Sequence, residues 1–472
     1  MSRAGVIFTR LMIPLRKSES KFEVSCVFCE LGRGVRVWEF LAAMAERTLL
    51  AKRTWAFTPS PIQQLSLLAQ RCNAINLAEG FPDFPAPPEI KEAAIAAIRS
   101  DFNQYRHVQG VCEKVAEGFE RAHGVRVDAA TQISICCGQS EAMAAAVFAV
   151  VEEGDEVVLL DPVYETYQSC IILAGGTPRF VSLNPPNWSL DIEKLESAFG
   201  PKTKAIVINS PHNPTGKTFS TNELADIAKL CCKYDCLAIT DEVYEHIVFD
   251  GRDHVSIVSF PGMQERTIVT SSLSKTFSVT GWRVGWAIAP ANISAAIGNI
   301  HVKMTDSAPA PFQEAALVAL QSTPSFFTQL KQDYEERRDY VCEMLLQAGF
   351  SNFLKPEGSF FVFAELPQAC SLNDVEYVTE LIQGAGVAVV PGRGFFHQEK
   401  ALISDDNPAS NGELNSGDEY RTRYIRIAFC KDMTTLKAAS TAIGQHIALL
   451  DPTTGRYPSE RQSSLDRPYF FH

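Results

Sequence analysis

Between about residues 105 and 335 the chain alternates short β-branched or aliphatic runs with longer amphipathic stretches. The runs are "ISICC", "EVVLLD", "PRFVSL", "KAIVIN", "CLAITD", "TIVTSS" and "GWAIAP", apolar at consecutive rather than alternate positions. Strands buried on both faces read this way, and helices such as Glu223 to Tyr234 fall between several of them. The pattern therefore predicts an α/β fold with a mainly parallel seven-stranded sheet covered by helices. From about residue 340 the texture changes to one long helix, shorter strands ("SFFVFAEL", "GVAVVPG", "YIRIAF") and a final helix after Lys431. This is read as a second, smaller α/β domain. The expected organisation is a large domain over 93–335 and a smaller one made of 336–450 together with an N-terminal segment over 51–92. The segment 404–422, "SDDNPASNGELNSGDEYRT", is rich in turn formers and acid and is expected to be a solvated loop, and 451–472 a disordered tail. There are no internal repeats.

Composition narrows the function classes. A chain of 472 residues can bury a large core and form a cleft between domains. Net charge is -12 with a pI near 5.4, and the basic residues are dispersed, against the footprint of a nucleic-acid binder. Apolar runs stop far short of the roughly 20 residues that span a bilayer. The 13 cysteines are scattered singly or as neighbours, an odd number in a chain with no need of staples, which points to a reducing compartment. Cys26 and Cys29 form one C-x-x-C without two further nearby ligands for a structural metal. Arg3, Arg10, Arg16 and Lys17 precede the first acidic residue, Glu19. Residues 1–50 thus read either as a mitochondrial or chloroplast transit peptide or as a disordered extension of a cytoplasmic protein, with activity expected to reside from about residue 50 onward.

The chemistry-bearing motifs lie where strands end, the place where ligands gather in open α/β sheets. "CCGQSEAM" sets Gly138, Gln139 and Ser140 between a strand and a helix beginning near Glu141. A helix N-terminus offers free amides and partial positive charge, which suits a phosphate, although Gly and Ser also serve there as plain caps. In "NSPHNPTGK" two prolines stiffen the turn from which Asn209 and Asn213 project. "AITDEVYEHI" ends a strand in Asp241, with Tyr244 three residues on. A carboxylate at the mouth of an apolar strand needs a positive partner, a lysine or a helix end being the ordinary ones. "SSLSKTFSVTGWRVGWAI" holds Lys275 and, eight residues later, Arg283.

Together with "INLAEGFPDFPAP", "NQY", "DPVYETY", "EGSFFVFAE" and "YIRIAFCKD", these motifs resemble, in order and spacing, the class I/II, fold-type I pyridoxal-phosphate aminotransferases. Within them the chain is most similar to the kynurenine aminotransferase, glutamine transaminase K and cysteine-S-conjugate β-lyase group. The resemblance implies pyridoxal 5'-phosphate as cofactor and Lys275 as the amine that the family joins to its aldehyde. A lysine whose charge is disfavoured by neighbouring positive groups is nucleophilic near neutral pH. It further implies that Arg283, Ser272, Ser140 and the amides near Gln139 hold the phosphate, and that Asp241 pairs with the pyridine nitrogen. Asn213 and Tyr244 would bind the ring hydroxylate, and Tyr164 would stack on the ring. Tyr105 matches a residue donated to the phosphate across a homodimer interface. Arg426 matches the arginine that grips the substrate α-carboxylate, with Gly80 passing close by.

The implied activity is transfer of an amino group between an amino acid and a 2-oxo acid in two half-reactions. A cysteine-S-conjugate β-lyase is the alternative enzyme reading. The retention of Lys275, Asp241, Arg283 and Arg426 together argues against a non-catalytic binding or regulatory module of the same fold. The chain departs from the kynurenine group at the side-chain pocket. Asp306 and Ser307 stand where that group presents a Phe-His pair from the neighbouring subunit, and Ile62 stands in place of a tryptophan. Lost aromatic stacking and an added carboxylate imply a broad neutral-to-polar specificity with poor dicarboxylic donors. Asp306 capping a helix or pairing with Lys303 is the competing expectation.

Overall fold

The computed structural model describes residues 61–397 and 419–448, with side chains from Leu65 and Tyr420 onward in the two stretches. The expectations for residues 1–50, Cys26 and Cys29, positions 404–418 of the acidic segment and the tail 451–472 lie outside the described residues.

All seven apolar runs are strands of one sheet: β2 (Ile133–Cys136), β3 (Glu156–Asp161), β4 (Thr177–Ser182), β5 (Thr203–Asn209), β6 (Leu237–Asp241), β7 (Thr267–Ser272) and β8 (Gly285–Ile288). They follow the short β1 (Ile75–Asn76), and their order is β2-β8-β7-β6-β5-β3-β4, with β8 antiparallel to both neighbours and every other pairing parallel. Every residue of β6 after Leu237 and every residue of β7 is buried, which is why these runs read as continuous rather than alternating. The crossover helix Thr221–Tyr234 starts at a capping box between Ser220 and Glu223 and stops at Asp235, whose left-handed φ of 50° ends the turn.

Three later strands, β9 (Phe361–Glu365), β11 (Val390–Pro391) and β12 (Tyr424–Ala428), form a separate antiparallel sheet in the order β11-β12-β9. The run "GVAVVPG" does not make one strand. Its first half, β10 (Val387–Ala388), pairs in parallel with β1, and its second half, β11, pairs with β12. The long helix begins well before residue 340, spanning Pro324–Gln347 with proline in its first turn, where the missing N–H costs nothing. Ile206 and Ile208 from the seven-stranded sheet and Val362, Ile425 and Ile427 from the three-stranded one belong to one contiguous buried cluster. Across that shared core Arg426 of β12 reaches Asn213 in the turn after β5. No described helix is long and apolar enough to cross a membrane.

Candidate active site

Parallel register delivers the polar residues at the strand ends to one place. Asn209 pairs with Asp241, and Asp241 with Thr270, as the last or near-last residues of β5, β6 and β7. The side-chain amide of Asn209 donates to the Asp241 carbonyl at 3.0 Å, and its oxygen accepts from the Asn213 amide at 2.7 Å. The Asn213 turn is thereby locked to the sheet. Asp241 meets neither a lysine nor a helix end through its carboxylate: Tyr167 donates its hydroxyl to Oδ2 at 2.6 Å and the Val243 amide donates to Oδ1 at 3.2 Å. Burial pushes the Asp241 carboxyl up to about 6 against the pull of Tyr167, the Val243 amide and the Lys275 charge. Such a carboxylate is poised for a cationic partner. Tyr167 was not among the residues that the motifs singled out, although its place three residues after Tyr164 puts both on one side of the Glu165–Ala174 helix start, with ring centroids 5.6 Å apart.

Lys275 follows β7 and donates from Nζ to the Gly80 carbonyl at 2.7 Å. Its amine is lowered to about 8, mainly by burial; Arg426 and Arg283 add to the shift, while Cys430 and Asp241 oppose it. Burial rather than neighbouring positive charge is thus the larger cause, contrary to the emphasis that the motif alone suggests. A Cβ on Gly80 would lie 2.5 Å from Phe361 Cζ, so only glycine brings that carbonyl to the lysine. Arg426, on β12, donates from Nη1 to Asn213 Oδ1 and from Nη2 to the Ala78 carbonyl, both at 2.9 Å. Its Nε is buried with no hydrogen-bond partner. Burial brings the guanidinium down to about 10, and it lies 4.2 Å over the Phe361 ring and 4.6 Å over Phe395. A buried cation with an unused donor is a site for an anion.

The helix starts at Gln139 rather than Glu141, after Gly138 at φ 79° with no side-chain cap. Arg283 reaches this turn from a left-handed backbone (φ 56°), donating from Nη2 to the Cys137 carbonyl at 3.2 Å. A Cβ on Gly138 would sit 2.5 Å from that Nη2, so the glycine makes room for the guanidinium at the helix N-terminus. The Gln139 side chain turns inward to Thr270 Oγ1 at 3.2 Å, and the Ser272 hydroxyl accepts from the Ser274 amide at 3.3 Å. Tyr244 is buried edge-on to Phe360, with ring centroids 5.0 Å apart, and burial holds its hydroxyl well above the usual tyrosine range.

A cavity of about 340 Å³ is lined by all of the following predicted residues: Gly80, Gln139, Ser140, Tyr164, Asn213, Asp241, Tyr244, Ser272, Lys275, Arg283 and Arg426. Tyr105, Asp306 and Ser307 do not line it. They border a separate, open concavity of about 760 Å³, in which Tyr105 is 77 % exposed. Asp306 caps the Ala291–Thr305 helix with φ 61° and makes no ion pair with Lys303 among the described residues. The backbone of Ile62 lies in the Pro61–Arg71 helix, and its side chain is outside the described residues.

The family profile of aminotransferase class I and II matches residues 73–402. The chain belongs to the class I and II aminotransferases. It is 34% identical to the kynurenine--oxoglutarate transaminase of Dictyostelium discoideum, over 82% of this chain and 94% of that protein. It is 33% identical to the methionine aminotransferase of Escherichia coli (strain K12), over 81% and 94%. The solved N-succinyldiaminopimelate aminotransferase from Mycobacterium tuberculosis superposes with a TM-score of 0.78 at 33% identity, covering 84% of this chain and all of that one. The fold is therefore fold-type I, and the cofactor of this aminotransferase is pyridoxal phosphate. The residues fit that group: an uncapped helix N-terminus with an arginine fork beside it, a buried carboxylate raised to about 6 and an amine lowered to about 8 share one cavity. The enzyme's substrates are amino acids and 2-oxo acids.

Proposed function

We propose that this aminotransferase has broad neutral-to-polar specificity, taking methionine, glutamine or kynurenine as donor, with the roles of its site residues as follows. When bound, pyridoxal phosphate supplies an aldehyde carbon that takes up the amino group and a ring that accepts electrons from the substrate α-carbon. Lys275 would anchor the cofactor, and its amine would be the group that takes a proton from the substrate α-carbon and returns it. Asp241, oriented by Tyr167 and the Val243 amide, holds the proton on the ring nitrogen. Arg426 grips the α-carboxylate, Asn213 and Tyr244 bind the ring hydroxylate, and Tyr164 covers the ring face. Arg283, Ser272, Ser140 and the first amides of the Gln139–Val150 helix hold the phosphate. Residues 93–335 carry the cofactor, and 51–92 with 336–450 form the smaller domain that brings Arg426.

The observation that carries this reading is the convergence of the Lys275 amine, the Asp241 carboxylate and the half-satisfied Arg426 guanidinium on one cavity. We further propose a homodimer in which Tyr105, Asp306 and Ser307 complete the partner's site. In support, Tyr105 is 77 % and Val302 48 % exposed, and both line the open concavity that lies apart from the catalytic one. A β-lyase reading is not favoured, the relatives being named transaminases. A panel of amino donors tests the specificity. Methionine or glutamine is expected to match or exceed kynurenine in kcat/KM, with aspartate and glutamate poor, and Asp306→Phe is expected to raise kynurenine relative to them. A wild-type enzyme that strongly prefers kynurenine, or a ranking untouched by the substitution, overturns the pocket argument.

The lowered Lys275 amine has its own consequence. With its titration point near 8 rather than 10.5, roughly a quarter of the amine is uncharged at pH 7.5 instead of about one part in a thousand. The rate at which cofactor-free protein captures pyridoxal phosphate should therefore climb with pH and level off above about 8. Stopped-flow reconstitution across pH 6 to 10 measures it. A rate still climbing tenfold per unit at pH 9.5 would contradict the shift.

A further inference from the structure

Glu242, the residue after Asp241, is 2% exposed. Its Oε1 accepts from Thr240 Oγ1 at 2.8 Å and Ser256 Oγ at 2.7 Å, and its Oε2 lies 2.6 Å from His254 Nε2. The His254 side chain is only 7% exposed, yet its other ring nitrogen, Nδ1, has no hydrogen-bond partner. The same is true of His123 Nε2, at the end of the Gln109–His123 helix. The two imidazoles meet edge to face with centroids 5.8 Å apart. One ligand atom from each of His123, Glu242 and His254 lies within 4.8 Å of the others. Native structures rarely leave buried ring nitrogens without a partner, and two in one cluster call for an explanation.

We propose that His123, Glu242 and His254 form a binding site for one divalent d-block cation of the zinc type. Two imidazoles and one carboxylate are the ligand set that such ions prefer, whereas calcium and magnesium want oxygen alone. Tetrahedral bonds of about 2.1 Å place ligand atoms about 3.4 Å apart and two bound imidazole centroids about 5 Å apart, so side-chain rotation has to open the Glu242–His254 pair from 2.6 Å by about 0.8 Å and close the two imidazoles from 5.8 Å by a similar amount. The cation takes the place of the proton shared by His254 and Glu242, which is released as the imidazoles bind in neutral form. Glu245, held by Ser271 Oγ at 2.8 Å, adds negative charge near His123, and Lys331 near His254 works against it. His123 is itself only half-buried, so the cluster lies near the surface. The ion ties the end of the Gln109–His123 helix to the residue that follows Asp241, a structural role beneath the cavity rather than within it.

A second group, Cys136, Glu141 and His301, has similar spacing but different chemistry. The Glu141 carboxylate is already engaged by His301 Nδ1, Thr305 Oγ1 and the Cys137 amide, and burial holds the Cys136 thiol protonated, well above the usual range. In the His123 cluster, by contrast, the ion meets a buried ring nitrogen without a partner, His123 Nε2, beside the His254–Glu242 pair.

The full-length, cofactor-loaded enzyme, stripped with chelator, would be titrated calorimetrically with zinc and, in parallel, with cobalt followed by its visible d–d bands. One equivalent per chain and a raised Tm are expected. His123→Gln, and separately His254→Gln, should weaken binding at least tenfold and remove the Tm gain. Cys26→Ser with Cys29→Ser should leave both readouts intact. Absence of stoichiometric binding, or wild-type affinity in whichever histidine variant folds, overturns the site.

Discussion

Lys275→Ala is expected to end multiple-turnover transamination while leaving the protein folded. The lysine is the one amine among the described residues that line the cavity, hydrogen-bonded at 2.7 Å to a carbonyl that only glycine can present. Removing a proton shuttle costs about a hundredfold to ten-thousandfold on its own, and here the cofactor's covalent anchor goes with it, so kcat should fall by at least about a thousandfold. The substitution deletes a charged tip from a polar cavity and makes no hole in either sheet, so Tm should change by only a few degrees. Purified wild type should be yellow from bound cofactor and the variant altered in its visible spectrum. Added primary amine should restore part of the proton transfer. An alanine variant that still turns over many times would show that some other group moves the proton.

Asp241→Asn is expected to have the next largest effect, slowing proton abstraction by well over tenfold with cofactor still bound. The Asp241 side chain is 4% exposed and accepts from Tyr167 and from the Val243 amide. Asparagine keeps the shape but has only one acceptor oxygen, and it cannot balance a protonated ring nitrogen. In a buried site the loss of that charge exceeds what water would allow, because little screening is available. Single-turnover kinetics isolate the step. A loss below about tenfold, roughly 1.4 kcal/mol of barrier, would remove Asp241 from the role. Tyr167→Phe should act in the same direction but more weakly, since it loosens the carboxylate without deleting it.

Much of this protein is legible in local sequence. The seven strands are short runs buried on both faces, and burial on both faces is written into consecutive apolar positions, so each run is found within a residue or two. Helix starts are legible where a cap is chemical, as at Ser220 and Glu223. Lys275, the carboxylate at the end of β6 and the arginine of β12 stand in motifs whose order and spacing carry the family resemblance. Local pattern fails where partners are distant. Nothing in "GVAVVPG" says that its halves pair with strands that lie more than 300 residues before and about 35 residues after them. Tyr167 stands two residues into a helix, and only folding brings its hydroxyl within 2.6 Å of a carboxylate 74 residues away.

The sequence by itself determined which strands exist, which residue types wait at their carboxyl ends and which family they belong to, because each of those depends on neighbours along the chain. The tertiary structure alone decided the electrostatic state of the site. The Lys275 amine near 8, the Asp241 carboxyl near 6 and the unpaired Nε of Arg426 all follow from burial between two sheets that share one core. It also placed Tyr105, Asp306 and Ser307 at a second concavity, apart from the cavity that Lys275 lines. Desolvation depends on everything packed around a group, and that packing is set by contacts between residues far apart in the chain.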